Sequence, residues 1–311
     1  MDFIDDKKEL IRAKALELGF DACGFAIAER VDEDAMVQYL SWIENGKNDC
    51  MDYAAKYMPL RNDPRELFPG AKTMICAAMN YFPAVKQPKN APQFSYYAYG
   101  KDYHNVVRNR LKLLARFIKD NWGADSRACV DTAPVREKYW ARKAGIGMIG
   151  RNNMLIIPGK GSYFFLGELI TELEISPDAP CTLTCGDCNE CVDRCPGGAL
   201  AEKGSLDARR CLSCQLIENR STLPAWVGAV AGKQVYGCDE CQKCCPHNKN
   251  AQHTDIPEFT PDEKMLSLTL DDIILMTDVR FKELFGKSAV KRVKLEGLKR
   301  NAQIIAKEFK K

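Results

Sequence analysis

Near the start of the chain, KKELIRAKALELG sets Leu10, Ile11, Leu16 and Leu18 at helical spacing and ends on Gly19, so a helix is expected there. ACGFAIA reads as a short strand, and a helical stretch follows around MVQYLSWIENG. Residues 57–69 form a proline-punctuated loop, and TMICAAMNYF is an apolar strand that ends at Pro83. After the tyrosine-rich loop FSYYAYGKDYH, the helix NVVRNRLKLLARFIKDNWG places Val107, Leu111, Leu114 and Ile118 on one face and stops at Gly123. RACV reads as a strand, and DTAP leads into the helix VREKYWARKAG with Pro134 near its first turn. NNMLIIP and SYFFLGELIT complete this half as strands. From Pro177 the periodicity gives way to closely spaced Gly, Pro, Asp and Cys, the texture of a chain folded around metal, which sets a boundary near residue 178. Helical patterns return after about residue 255 in LSLTLDDIILMT, RFKELFG and EGLKRNAQIIAKEFKK, without a completed repeat.

The expected fold is therefore α+β (α/β-like), with units at 1–177, 178–255 and 256–311. The 311 residues are 46% hydrophobic and 28% charged, an ordinary globular composition that excludes disorder or fibre for the whole. Charged residues run through every turn of the first segment, and no apolar run approaches the roughly 20 residues that span a bilayer. No signal peptide, no membrane helix and a cytoplasmic location are expected. Residues 280–311 hold 11 basic and 3 acidic residues within a chain of net charge +3, so this tail carries +8 and the rest −5.

Fifteen cysteines change the picture, because eleven lie between Cys181 and Cys245. In an unexported protein that density argues for metal rather than disulfides. Cys185, Cys188, Cys191 and Cys195 before Pro196 spell CxxCxxCxxxCP, in which three thiolates bind one [4Fe–4S] cube and the fourth binds its neighbour. Cys238, Cys241 and Cys245 before Pro246, with Cys211, supply the missing four. The crossing rule assigns Cys185, Cys188, Cys191 and Cys245 to one cluster and Cys195, Cys211, Cys238 and Cys241 to the other. Cys214 and Cys244 compete for ligand positions, Cys181 is ambiguous, and two Cys₄ zinc sites are the alternative reading. Cys23, Cys50, Cys76 and Cys129 read as core thiols. Gly145, Gly147 and Gly150 formally match GxGxxG, but a helix precedes them and a strand follows, the reverse of the dinucleotide-binding context. They are expected to end a helix and allow close backbone approach.

DTAPVREKYWARKAGIGMIGRNN, GSYFFLGELIT, the two CP motifs, RRCLSCQLIE and YGCDECQKCCPHNK together resemble the epoxyqueuosine reductase family, nearly end to end. The resemblance implies a nitroreductase-like cobalamin-binding domain, a ferredoxin-like module with two [4Fe–4S] clusters, and reduction of epoxyqueuosine to queuosine at the tRNA wobble position. It implies Asp131 as the proton donor, with Tyr103 and His104 beside the substrate. It implies cobalamin contacts from Arg61, Ser95, Asp131, Leu155, Leu166, Ser213 and Asp239. Cys214 and Cys244 stand where aromatic and aliphatic residues are usual. Without the family, Asp131 reads equally as a helix N-cap and His104 as a structural histidine. A donor role for Asp131 requires a raised pKa, which burial against the corrin could supply. Asp102 and His104 begin the DxHxxG pattern of histidine-on cobalamin proteins, but residue 107 is Val, so no histidine ligand on cobalt is expected.

Lys287, Lys291, Arg292, Lys294, Lys299 and Arg300 suit phosphate contacts with tRNA, with a solvated helix face as the plain reading. The chain ends before the helical repeats that help longer relatives hold tRNA. An external flavodoxin- or ferredoxin-type donor and a monomer are expected. The competing readings are a reductive dehalogenase-like cobalamin enzyme acting on a small molecule, and a non-catalytic electron carrier or cobalamin-handling protein.

Overall fold

The computed structural model describes residues 3–201 and 205–308. Eight strands are present among them: β1 (Ala22–Ile27), β2 (Thr73–Asn80), β3 (Gln93–Phe94), β4 (Ser126–Cys129), β5 (Met148–Ile149), β6 (Leu155–Ile156), β7 (Phe164–Thr171) and β8 (Gln234–Tyr236). Four of them make the main sheet, ordered β1-β2-β7-β4, and every neighbouring pair is antiparallel. Its centre is buried on both faces. Ile75, Ala77 and Met79 of β2 join Ile11, Ala15, Leu111 and Leu114 from the helices Phe3–Glu17 and Tyr103–Trp122. Met74, Cys76 and Ala78, the alternate residues, pack on the other side with Met36, Tyr139 and Trp140. This period-two alternation under two helical layers makes all eight residues of β2 buried and apolar or nearly so. Such continuous burial is commonest in parallel sheets.

Several expected elements move by a few residues. The first helix spans Phe3–Glu17 and buries Ile11 and Ala15, whereas Leu10 and Leu16 are exposed. Residues 57–69 hold two short helices, Met58–Asn62 and Pro64–Leu67, each with a proline in its first turn. The helix after DTAP begins at Glu137, three residues beyond Pro134. NNMLIIP contracts to β6, which forms a small hairpin with β5.

A second core lies beyond the sheet, built from Leu212, Leu216, Val227, Val235, Phe285, Val290, Leu298 and Ile305. Phe94, Ala98 and Tyr99 from the tyrosine-rich loop belong to it, and β3 pairs in parallel with β8, some 140 residues later. The two units are therefore stitched together across the expected boundary at residue 178. The terminal helix Lys294–Glu308 closes this core, with buried Asn301 donating to the carbonyls of Leu216 (2.8 Å) and Val235 (2.9 Å).

Leu111 is fully buried and Leu113, on the same helix, is 50% exposed. Leu111→Ala should lower stability by about 2–5 kcal/mol, and Leu113→Ala by no more than about 0.5 kcal/mol, read as shifts in the urea midpoint.

Candidate active site and cysteine-rich module

β4 ends one residue before Val130, and Asp131 then turns the chain with φ of 45°, a left-handed conformation seldom taken by residues other than glycine. The helix that follows is capped by Arg136, so Asp131 is not its N-cap. The turn instead presents the carboxylate to the start of the helix Tyr103–Trp122. Tyr103 Oη donates to Asp131 Oδ2 at 2.8 Å, and His104 Nε2 lies 2.7 Å from the same oxygen. His104 Nδ1 lies 2.6 Å from Asp102 Oδ1, and Lys291 Nζ pairs with Asp102 Oδ2 at 2.7 Å. Asp102 is also the N-cap of that helix, accepting from the His104 backbone N–H at 3.1 Å. One line of contacts thus runs from the basic tail to the half-exposed Asp131.

The electrostatics follow from this line. Burial disfavours the charged imidazole of His104, but hydrogen bonds to Asp102 and Asp131 outweigh it and raise its pKa to about 9. Burial would raise Asp131, yet His104 and Tyr103 outweigh it and hold the carboxyl below its usual range. The raised pKa that a lone donor carboxylic acid requires is thus not a property of Asp131 in the chain alone. The proton resides on its partner. Behind Asp131, Glu137 Oε1 accepts from the Asp131 backbone N–H at 2.5 Å, and burial together with the Asp131 charge pushes Glu137 up to about 8. Glu168 on β7, opposite Cys129, is fully buried, and neither carboxyl oxygen has a partner among the described residues. Burial raises it far above the ordinary range, so it is neutral. In the sequence, Asp102 stands out only as the start of an incomplete DxHxxG pattern and Lys291 only as a basic tail residue, while Glu137 and Glu168 lie unmarked within DTAPVREKYWARKAG and GSYFFLGELIT.

All fifteen cysteines are free thiols. The short helices Glu190–Asp193 and Glu240–Lys243, each carrying a cysteine, pack against one another. Burial raises the Cys191 thiol, and Cys245, Cys185 and Cys188 are the thiols whose charges add to the shift. Cys241 is raised by burial and then by Cys238, Cys211, Asp239 and Cys195. Thiols of both CP motifs thus lie near enough to feel one another's charge, Cys244 with Cys191 and Cys245 among them. Cys244 turns its thiol to the Glu190 carbonyl at 3.5 Å, and Cys181 packs beside Cys185. Cys214 faces Cys50 at 3.9 Å. Cys23, Cys76 and Cys129 are buried in the core, but Cys50 is only partly buried and lies outside it. Gly145 follows the helix with φ of 73°, and a side chain at Gly147 would meet the Ile156 carbonyl at 2.4 Å, so these glycines serve a helix end and the β5–β6 hairpin.

The expected cobalamin contacts come from several separate elements. Leu155 is buried in one apolar cluster against which Leu166, Met58 and Leu60 pack, and Arg61, on the helix Met58–Asn62, donates to the carbonyls of Lys56 and Tyr53, both at 3.0 Å. Ser95 and Asp239 are buried; Asp239 accepts from the Tyr96 backbone N–H at 2.8 Å, and the Ser95 side chain bonds to it. Burial raises Asp239 to about 6. Ser213 adjoins Cys214 on the helix Leu212–Ile217. Tyr53 and Tyr57 leave their rings exposed on the loop before Arg61, and Tyr53 is near enough to feel the Asp131 charge. An exposed aromatic loop beside a half-exposed carboxylate suits a flat, apolar-faced macrocycle, and eight converging thiols suit two cubane clusters. Of the basic residues, Lys291 holds Asp102, Arg292 pairs with Glu218 at 2.7 Å, and Arg300 donates to the carbonyls of Asn219 and Ser221. Lys287 and Lys294 are exposed and Lys299 partly so. No described helix is long and apolar enough to cross a membrane.

Fold and site define an iron–sulfur oxidoreductase. Residues 61–132 match the family model described as epoxyqueuosine reductase QueG, DUF1730, and residues 184–248 match the 4Fe-4S double cluster binding domain. An epoxyqueuosine reductase of Cellulophaga algicola is 39% identical over 306 residues, covering 98% of this chain and 100% of that protein. The Escherichia coli epoxyqueuosine reductase is 35% identical over 291 residues, covering 91% and 76%. A crystal structure of an epoxyqueuosine reductase with an epoxyqueuosine-modified tRNA-Tyr stem loop superposes with a TM-score of 0.89 at 30% identity, covering 99% of this chain and 82% of that one. The chain belongs to the epoxyqueuosine reductase family. It is accordingly an oxidoreductase that uses cobalamin and two [4Fe–4S] clusters.

Because the His104 pKa is raised from 6.5 to about 9, its contribution to stability is complete below pH 6.5 and is lost as pH rises through 9. Histidine-selective NMR of the cobalamin-free chain should find a histidine titrating near pH 9, and Asp102→Asn should move that titration to lower pH.

Proposed function

We propose that the chain reduces epoxyqueuosine to queuosine at the tRNA wobble position, as a cytoplasmic monomer that receives electrons from a flavodoxin- or ferredoxin-type donor. The observation that carries this reading is the half-exposed Asp131 carboxylate, sharing one oxygen between Tyr103 and His104, in a chain whose two CP motifs bring their thiols together. Residues 1–177 would hold cobalamin and substrate, 178–255 the clusters, and 256–311 would brace the site from behind. One cluster would be held by Cys185, Cys188, Cys191 and Cys245, the other by Cys195, Cys211, Cys238 and Cys241. Arg61, Leu155, Leu166 and Ser213 are the proposed cobalamin contacts, together with Asp131 and with the backbone turn fixed by Ser95 and Asp239.

Converting the epoxide to the alkene with loss of its oxygen as water takes two electrons and two protons. When bound, the clusters and cobalamin would supply the electrons. Protons are the chain's own task. At pH 7 the His104–Asp131 pair carries one proton across 2.7 Å, and Asp131 is the half-exposed end from which it can reach the leaving oxygen. Tyr103 orients the carboxylate through its 2.8 Å hydrogen bond. Glu137, protonated up to about pH 8 and bonded to the Asp131 backbone, holds a second proton nearby.

Anaerobic turnover of epoxyqueuosine-containing tRNA with a chemical reductant tests this reading. Cobalamin-dependent conversion to queuosine is expected, and no conversion by a protein fully loaded with clusters and cobalamin would overturn it. Asp131→Ala should keep eight irons while turnover at saturating cobalamin falls by roughly 10²–10⁴-fold, and wild-type turnover should decline above about pH 8 as Glu137 and then His104 lose their protons. Lys294→Glu should weaken stem-loop binding and lower its salt slope by about one or more, whereas Arg300→Ala, which breaks two carbonyl contacts, should chiefly lower stability.

A further inference from the structure

Asp49, Cys50 and Cys214 form a compact group of ligating atoms, none of them assigned to either thiol quartet, with Cys214 near enough to Cys211 to feel its charge. Cys50 Sγ lies 3.9 Å from Cys214 Sγ and 3.7 Å from Asp49 Oδ2, and Cys214 Sγ lies 3.9 Å from the same oxygen. The triangle is nearly equilateral. Tetrahedral zinc, with Zn–S near 2.3 Å and Zn–O of about 2.0–2.2 Å, spans ligand-to-ligand edges of about 3.5–3.8 Å. A cation at bonding distance from all three atoms would sit just outside their plane, leaving one corner for solvent. A disulfide would require the sulfurs to close to about 2.05 Å, roughly half the observed separation.

Two further features point to ligation. Gln215, 2% exposed, donates Nε2 to Asp49 Oδ2 at 2.6 Å and to the Arg209 carbonyl at 3.3 Å, which fixes the carboxylate as the outer partners of metal ligands do. The donor set, two thiols and one carboxylate, selects a thiophilic divalent ion over magnesium or calcium, which prefer oxygen alone. Three ligands are also too few for a cubane.

We propose that Asp49, Cys50 and Cys214 bind one zinc ion, which ties the loop after the helix Glu33–Glu44 to the helix Leu212–Ile217. Binding replaces the two thiol protons, which leave to solvent, and involves no change in oxidation state. The loop so anchored carries Tyr53, whose carbonyl holds Arg61. The ion therefore staples the first unit to the second where the proposed cobalamin contacts Arg61 and Ser213 meet it.

The test is zinc and iron analysis of the reconstituted holoenzyme after equimolar zinc and gel filtration, with zinc K-edge X-ray absorption. One zinc beside eight irons is expected, with two sulfurs near 2.3 Å and lighter atoms near 2.0 Å. The double variant Cys50→Ser, Cys214→Ser should lose the zinc and keep the irons. Cys50→Ala, which leaves buried Cys214 in place, gives the same readout should the double variant fail to fold. Wild-type protein without zinc, zinc retained in the variants, a four-sulfur zinc environment, or a mass two daltons low that thiols restore would each overturn the proposal, the last by showing a disulfide.

Discussion

The Asp102 carboxylate makes three contacts at once: it caps the longest helix, grips His104, and neutralises Lys291. Geometry at the helix start dictates the rest. A cap residue lies beside the amide two positions on, so the side chain at that position is held against the same carboxylate. His104 then has one nitrogen committed, and its second can point only outward, to Asp131. An imidazole between two carboxylates is held cationic, and the ionised Asp131 is its counter-charge. Acid and base are therefore a shared state of the pair rather than properties of either residue.

The same contact explains why the basic C-terminal segment is more than a solvent face. Lys291 and Arg292 follow a tight turn in which Ser288 caps the next residues, and they reach back to Asp102 and Glu218. Arg300 and Asn301 fasten the terminal helix to the loop after Leu216. Positive charge that a sequence count assigns to one surface is thus divided, part engaged in ion pairs with Asp102 and Glu218 and part on the exposed Lys287 and Lys294.

Much of this was legible in the chain. The helix faces of Val107, Leu111, Leu114 and Ile118, the strand at Thr73–Asn80 and the two CP motifs could be read directly, because each depends on local spacing. Strand direction could not: an apolar run says that both faces are covered, and antiparallel β2 meets that condition as well as a parallel strand would. Leu10 and Leu16 misled for a related reason, since the helix buries the adjacent Ile11 and small Ala15 instead. Asp131 read equally well as a cap or an acid, and the cap reading fails because the helix begins only at Glu137, behind Arg136. Glu137, Glu168 and the Cys50–Cys214 approach involve residues whose meeting no periodicity encodes.

The pairing of Gln93–Phe94 with Gln234–Tyr236 also bears on how the molecule forms in time. Phe94 and Tyr99 are completed as core residues only by segments made more than a hundred residues later. On a ribosome, the tyrosine loop beside the Asp131 carboxylate would wait, uncovered, until the cysteine-rich stretch and the terminal helix had emerged. Long-range pairing of this kind makes the first unit's completion a late step of folding.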